Sequence, residues 1–384
     1  MPLFVDASKL SPSHIPRTLI HRERETELLT RILKRGIERR SDDFVAKAQV
    51  VGGVGAGKTT LSLKVGRELE AAYRNLAHLY VNLRMFSASR VSVYRYMAKT
   101  FSEQAFSQSL SAEELLDNML TYLKHNGMLS IVTFDEADYH VRTCRGKETV
   151  IYDFTRLHEV SPIRPINVVG VVFITRDPEY NGLLEKPELS SLGANIVKLE
   201  PYTRQQMVDI LEGRVVEAFR KGAVPHQVIE YVADVATRPP HNGDVRFALD
   251  LLLYAGNLAE SRGYDHVKID DIRYVLAETG HATLLREIAE LTENEKTALL
   301  AVAKSLTSSG DAYADVQAVK KIYTMVCEQQ GRVDTGFDKA LKSLKLRGFI
   351  ELRGQGKVEL VGADAQRISQ TVEHHLKRRR GEDG

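Results

Sequence analysis

Gly52-Gly53-Val54-Gly55-Ala56-Gly57-Lys58-Thr59 follows the apolar run Ala48 to Val51 and precedes a stretch with helical spacing. A phosphate-cradling loop needs this strand–loop–helix order. Its glycines let successive N–H groups turn inward, and the helix N-terminus behind them adds partial positive charge. Gly52, Gly53, Val54, Gly55, Ala56, Gly57, Lys58, Thr59 and Thr60 are therefore expected to line a nucleotide site for ATP or ADP. Lys58 reaches the β and γ phosphates in this reading, and the Thr59 hydroxyl joins a Mg2+ shell.

The surrounding chain supports that placement. Short β-branched runs at Ala48 to Val51, His78 to Asn82, Ile131 to Phe134, Asn167 to Ile174 and Ile196 to Leu199 alternate with helical patterns. Such alternation predicts a parallel five-stranded sheet with helices on both faces, an α/β fold. Ile20 to Arg39 reads as an entry helix on that sheet. The third run ends in Asp135-Glu136, two carboxylates at a strand end. Asp135 is expected to hold magnesium and Glu136 to orient or deprotonate the attacking water, the tasks phosphoryl transfer leaves to the protein.

After Pro201 the strand pattern stops. Thr203 to Lys221, His226 to Val235, Asp244 to Arg262 and Lys268 to Thr279 have helical spacing and predict a small helical lid. Gly243-Asp244-Val245-Arg246 opens a lid helix, where Arg246 could pair with a phosphate or lie on a solvated face. From Thr292 a capping-box pattern, Thr292-Glu293-Asn294-Glu295, introduces the apolar stripe Ala298, Leu299, Val302, Leu306. Two more helices and a hairpin turning at Gly354-Gln355-Gly356 predict a winged helix. The expected division is residues 1–200 for the nucleotide-binding core, 201–285 for the lid and 286–384 for the winged helix. The basic tail Lys377 to Arg380 reads as a solvated end.

Composition sets bounds around these motifs. The chain has 384 residues, 43% hydrophobic and 27% charged, which suits a modular globular protein. No stretch approaches the ~18 apolar residues of a membrane span, and the start lacks a signal-peptide pattern, so a cytoplasmic, nucleoid-associated protein without membrane contact is expected. Cys144 and Cys327 have no metal-ligand spacing and read as reduced thiols. The formal net charge of +2 is uninformative, but its distribution is not. Gly336 to Lys357 holds six basic residues against two acidic ones. Lys339, Lys342 and Lys345 repeat at spacing three on a helix whose packing positions are Leu341, Leu344 and Leu346. That helix is expected in a DNA major groove, with Arg353, Gly354, Gln355, Gly356 and Lys357 of the wing reaching phosphates or an adjacent minor groove.

Taken in order, these segments resemble the archaeal origin-recognition/Cdc-type replication initiators, AAA+ ATPases with a C-terminal winged helix. The resemblance rests on Ser11 to Pro16, His21 to Glu25, the phosphate loop, Tyr80-Val81-Asn82 and Asp135 to Asp138, and continues through Ser190 to Gly193, Pro201-Tyr202-Thr203, Gly243 to Arg246 and Tyr323 to Cys327. It implies nucleotide contacts by Ile15, Pro16, Arg22 and Tyr202, and makes Arg246 the lid arginine that senses nucleotide. It also implies double-stranded origin DNA as partner, with related initiator paralogues and the replicative helicase as further ones. A helical insertion between Phe86 and Asn126, bearing Arg90, Arg95 and Lys99, is then a second DNA contact or plain crossover helices. Two positions depart from the family pattern: Arg176 stands where a polar Asn or Ser precedes Asp177, and Pro187 stands where a trans-acting arginine is usual. A slow ATPase acting as a nucleotide switch that holds ADP is the expectation. Two alternatives stay open on the residues alone: an AAA+ signalling or transposition ATPase whose winged helix docks protein, and a DNA-binding transcription regulator.

Overall fold

The computed structural model describes residues 2–39, 44–86, 89–101, 109–144, 149–176, 182, 184, 186–278, 288, 291–332, 336–361 and 364–378. These form two compact units: residues 15–206 with 242–245, and residues 1–14, 207–241 and 246–384.

The first unit is built on five parallel strands, β1 (Ala46–Gly52), β2 (Leu76–Asn82), β3 (Leu129–Asp135), β4 (Val168–Thr175) and β5 (Ile196–Leu199). Their order is β2-β3-β4-β1-β5. All residues of β3 and β4 are buried, as a parallel sheet covered on both faces requires. On one face lie α1 (Glu23–Glu38) and α2 (Lys58–Ala72). Gly36 lets α1 approach closely, since a Cβ there would stand 1.8 Å from the Val169 carbonyl oxygen. The other face is covered by α3 (Arg90–Phe101), α4 (Ala112–His125), α5 (Ala137–Cys144) and α6 (Val150–Thr155), packed around Phe134, Phe154 and Phe173. All five expected strands are present.

Two neutral histidines lie inside this unit, His140 fully buried and His78 half-buried. His78 packs against Gly66, and its Nε2 lies 2.9 Å from the Thr133 hydroxyl. His140 accepts a hydrogen bond from the Val150 amide and lies 3.4 Å from the Cys144 sulfur. Burial pushes both imidazoles down to about 4.

The second unit joins the lid to the winged helix. Lid helices are α9 (Arg204–Ala218), α10 (His226–Thr237), α11 (Val245–Ser261) and α12 (Ile269–Glu278), where α7 (Leu157–Val160) and α8 (Lys186–Leu192) belong to the first unit. The winged helix contains α13 (Glu293–Ser309), α14 (Val316–Gln329), α15 (Phe337–Leu346) and a three-stranded sheet of β6 (Ala314–Asp315), β8 (Lys357–Leu360) and β7 (Ile350–Arg353). The Thr292/Glu295 capping box starts α13 as its sequence predicts.

Three features differ from the sequence reading. Residues 1–14 belong with the lid rather than the core: Phe4 stacks on Phe219 at 4.5 Å, and the Val5 amide donates to the Ala218 carbonyl. Leu346 is 89% exposed, because α15 ends there and its buried face is Phe337, Ala340, Leu341 and Leu344. A terminal helix, α16 (Ala365–Arg378), packs on α13 through Ala365, Ile368 and Val372. The basic tail therefore begins as helix, and Arg379 and Arg380 lie outside the described residues.

Candidate nucleotide site and nucleic-acid interface

In a parallel sheet the C-terminal strand ends open onto loops that can hold a ligand. Here β1 runs into the Gly-rich loop, β3 ends at Asp135, and β4, which lies between them, ends next to Arg176. Gly55 and Gly57 have φ of +70° and +91°, conformations a side chain would strain. Gly55 is also tight against a neighbour, since a Cβ on it would come within 2.0 Å of an Asp244 carboxylate oxygen. The loop thus presents backbone and little else, and Val54 at its tip is exposed.

Lys58 and Thr59 open α2 behind this loop. The Lys58 ammonium donates to the carbonyls of Gly52 and Gly53, each at 2.7 Å, and burial lowers its pKa. Thr59 Oγ1 donates to Asp135 Oδ2 at 2.7 Å, so a residue of α2 and one of β3, 76 positions apart, meet directly. Tyr80 Oη donates to the same oxygen at 2.7 Å, while the Glu136 amide donates to Asp135 Oδ1 at 2.8 Å. Burial and the Asp135 charge beside it hold the Tyr80 phenol protonated, its pKa well above the ordinary value. A hydroxyl and a carboxylate oxygen are the hard donors magnesium takes, and magnesium needs few of them when phosphates complete its shell. No group of three or more His, Cys, Asp or Glu side chains among the described residues offers a rival metal site.

Glu136 adopts φ of +57° as the chain turns out of β3. Its carboxylate meets the Arg176 guanidinium, Nη2 to Oε1 at 2.9 Å. The sequence marks Arg176 as a departure but carries no sign of this pairing. Tyr80 is likewise a site residue whose role the sequence does not reveal.

On the flank of the loop, the Arg22 guanidinium lies 4.0 Å over the Tyr202 ring and donates to the carbonyls of Glu200 and Ala56. Tyr202 Oη approaches Gly57, with 3.3 Å between it and the position a Cβ would take. Arg22 and Tyr202 are both buried and brace the loop, while Ile15 and Pro16 are half-buried. Thr60 follows in the first turn of α2. Arg246 is exposed in the first turn of α11, in the second unit.

In the winged helix, Lys339, Lys342 and Lys345 are exposed along one side of α15. Gly354, Gly356 and Lys357 at the wing tip are exposed too, and the backbone there is a short 3-10 turn that includes Gln355. Arg353 is different. Its guanidinium donates to Glu359 Oε1 through Nε at 2.9 Å and Nη2 at 2.6 Å, and to Glu351 Oε2 at 2.5 Å. Arg238, which caps the C-terminus of α10, joins the same cluster, bonding Glu359, Glu351, Asp234 and the Tyr313 hydroxyl. Glu359 is 2% exposed, and burial pushes its carboxyl up to about 7 despite these arginines. Arg90, in the insertion, is bound to Asp153 and Glu113, whereas Lys99 is exposed.

Comparison with known proteins agrees with this layout. Residues 48–181 match the model of an AAA domain, and residues 208–276 match that of the Cdc6 AAA+ ATPase-type lid domain. The chain is 24% identical over 356 residues to ORC1-type DNA replication protein 2 of Methanothermobacter thermautotrophicus, covering 92% of this chain and 89% of that one. Among solved structures, Cdc6p from Pyrobaculum aerophilum shares the fold at a TM-score of 0.76 and 22% identity, over 98% of this chain and 99% of that chain. The ORC1 protein of Aeropyrum pernix, solved in complex with DNA, aligns at a TM-score of 0.63 and 26% identity, with 98% of each chain covered. No helix among the described residues is long and apolar enough to cross a membrane.

Proposed function

Because the chain belongs to the ORC1/Cdc6-type family of AAA+ replication proteins, we propose that it is a nucleotide-switched initiator that recognises double-stranded origin DNA. The observation that carries the nucleotide half is the convergence of the Gly-rich loop, Lys58, Thr59 and Asp135 at the C-terminal ends of the strands of one sheet. Gly52 to Gly57 wrap the phosphates with backbone N–H groups. Lys58 exchanges its two carbonyl partners for phosphate oxygens, and Thr59 and Asp135 are the residues that would hold magnesium, which when bound would supply charge neutralisation for the phosphates. Glu136 orients the attacking water and takes its proton as the bond from the γ phosphorus to the bridging oxygen breaks. Arg22 and Tyr202, with Ile15 and Pro16, support the loop and the base. Arg246 is the lid's reporter of nucleotide state.

The DNA half is supported by the exposed lysines of α15 and the relative solved with DNA. Lys339, Lys342 and Lys345 face the major groove, and Gly354 to Lys357 approach the backbone. Arg353 takes part indirectly: bound to Glu351 and Glu359, it fixes the base of the wing. Initiator paralogues and the replicative helicase are the partners this role calls for. The three-part division, with residues 286–384 as DNA-binding domain, follows the same logic.

Glu136→Gln separates binding from chemistry. The variant should keep ADP and ATP affinity and lose hydrolysis; equal hydrolysis by variant and wild type would remove Glu136 from the reaction.

A further inference from the structure

Hydrolysis at this site depends on the freedom of one carboxylate. Glu136 leaves β3 in a left-handed conformation, φ +57°, which turns its side chain along the sheet edge toward β4. β3 and β4 run in register there, with Phe134 beside Phe173, so the residues just beyond their ends are neighbours. Arg176 stands at that point, and its Nη2 lies 2.9 Å from Glu136 Oε1. The two side chains are 46% and 22% exposed, respectively. Asp138 and Asp135 add to the acidic field around the guanidinium, and the Glu136 hydrogen bond is the largest cause of its raised pKa.

We propose that Arg176 is a positioning residue acting as a brake on hydrolysis: by ion-pairing Glu136 it withholds that carboxylate from the attacking water until the pair opens. A guanidinium bound to a general base occupies the oxygen that would accept the water's proton and holds the carboxylate turned toward β4. The pair is partly exposed and joins side chains on adjacent loops, so its opening is cheap enough to occur within each turnover. A brake of this kind gives slow turnover without weakening nucleotide binding, because Lys58, Thr59 and the loop backbone are left as they are. The proposal rests on the reading of Asp135 and Glu136 as the hydrolytic pair, and its test separates the two.

Single-turnover and steady-state ATP hydrolysis would be measured on the full chain with magnesium, for wild type, Arg176→Ala, Arg176→Lys, Glu136→Gln and the double variant Glu136→Gln with Arg176→Ala. Arg176→Ala should raise kcat by about 3- to 5-fold, the scale of one exposed ion pair, with KM for ATP unchanged. Arg176→Lys, which keeps the cation, should restore most of the slow rate. The gain should vanish in the Glu136→Gln background, since the brake works only through Glu136. An unchanged or lower kcat for Arg176→Ala, or a gain that persists without Glu136, overturns the brake while leaving the hydrolytic pair standing. Wild-type turnover by Glu136→Gln alone overturns both.

Discussion

The nucleotide-binding unit and the lid–winged-helix unit use their charges in opposite ways. At the C-terminal end of the sheet, Lys58 and Thr59 at the start of α2 lie close to Asp135 at the end of β3, with Thr59 hydrogen-bonded to it directly. In the second unit, the basic residues divide: the α15 lysines stay in solvent, whereas Arg353 and Arg238 are bound by a buried carboxylate on β8. A charge count identifies a ligand-facing surface only where the fold has not already supplied the counter-charge. Burial also moves pKa values in opposite directions at particular groups of the two units, down for His78 and His140 and up for Glu359.

That difference predicts opposite responses to pH, the largest effect expected. His78 and His140 have folded pKa values of about 4, below their unfolded values, so the stability they confer is complete above about pH 6.5. It is lost as pH falls through their folded values, about 3 kcal/mol for each. Glu359 has a folded pKa of about 7, above its unfolded value, so its contribution is complete below about pH 4.5 and is lost as pH rises through 7. Hydrogen exchange resolved by segment from pH 5 to 8 should show the first unit gaining protection as pH rises and the β7–β8 region losing it. Parallel trends in both would break the contrast.

Arg238→Ala comes next. It strips Glu359 of its lid partner and should destabilise the second unit by about 3 kcal/mol, read by denaturant unfolding. Lys58→Ala should weaken nucleotide binding by about 100-fold, roughly 2.7 kcal/mol, with folding unchanged. Replacing Lys339, Lys342 and Lys345 together by Ala should reduce the slope of log K against log salt for DNA by about 2–3. Arg353→Ala should change that slope least, since its guanidinium is committed to Glu351 and Glu359. A slope change from Arg353→Ala equal to that from a lysine would show that the wing releases it to DNA.

What could be read from the chain beforehand follows the range of the interactions involved. The Gly-rich loop, the five strands and the Thr292 capping box depend on residues a few positions apart, and they stand where the sequence puts them. Helix α16 was legible in principle through Ala365, Ile368 and Val372, but its charged flanks hid the stripe. Contacts between distant segments were not: Arg238 and Glu359 are 121 residues apart, Arg176 and Glu136 are 40 apart, and Phe4 finds Phe219 only in the folded chain. Leu346 failed for a local reason, because a helix that ends at that residue leaves its last leucine outside the packed face.

The central claim is a nucleotide-switched protein that reads origin DNA through α15 and the wing. Footprinting on origin-containing and random fragments, at two salt concentrations and with ADP or ATP, tests it most directly. The account predicts protection of a discrete repeat that weakens with salt, changes with nucleotide and disappears when Lys339, Lys342 and Lys345 are replaced. Protection without sequence preference, or a footprint indifferent to those lysines, would contradict it.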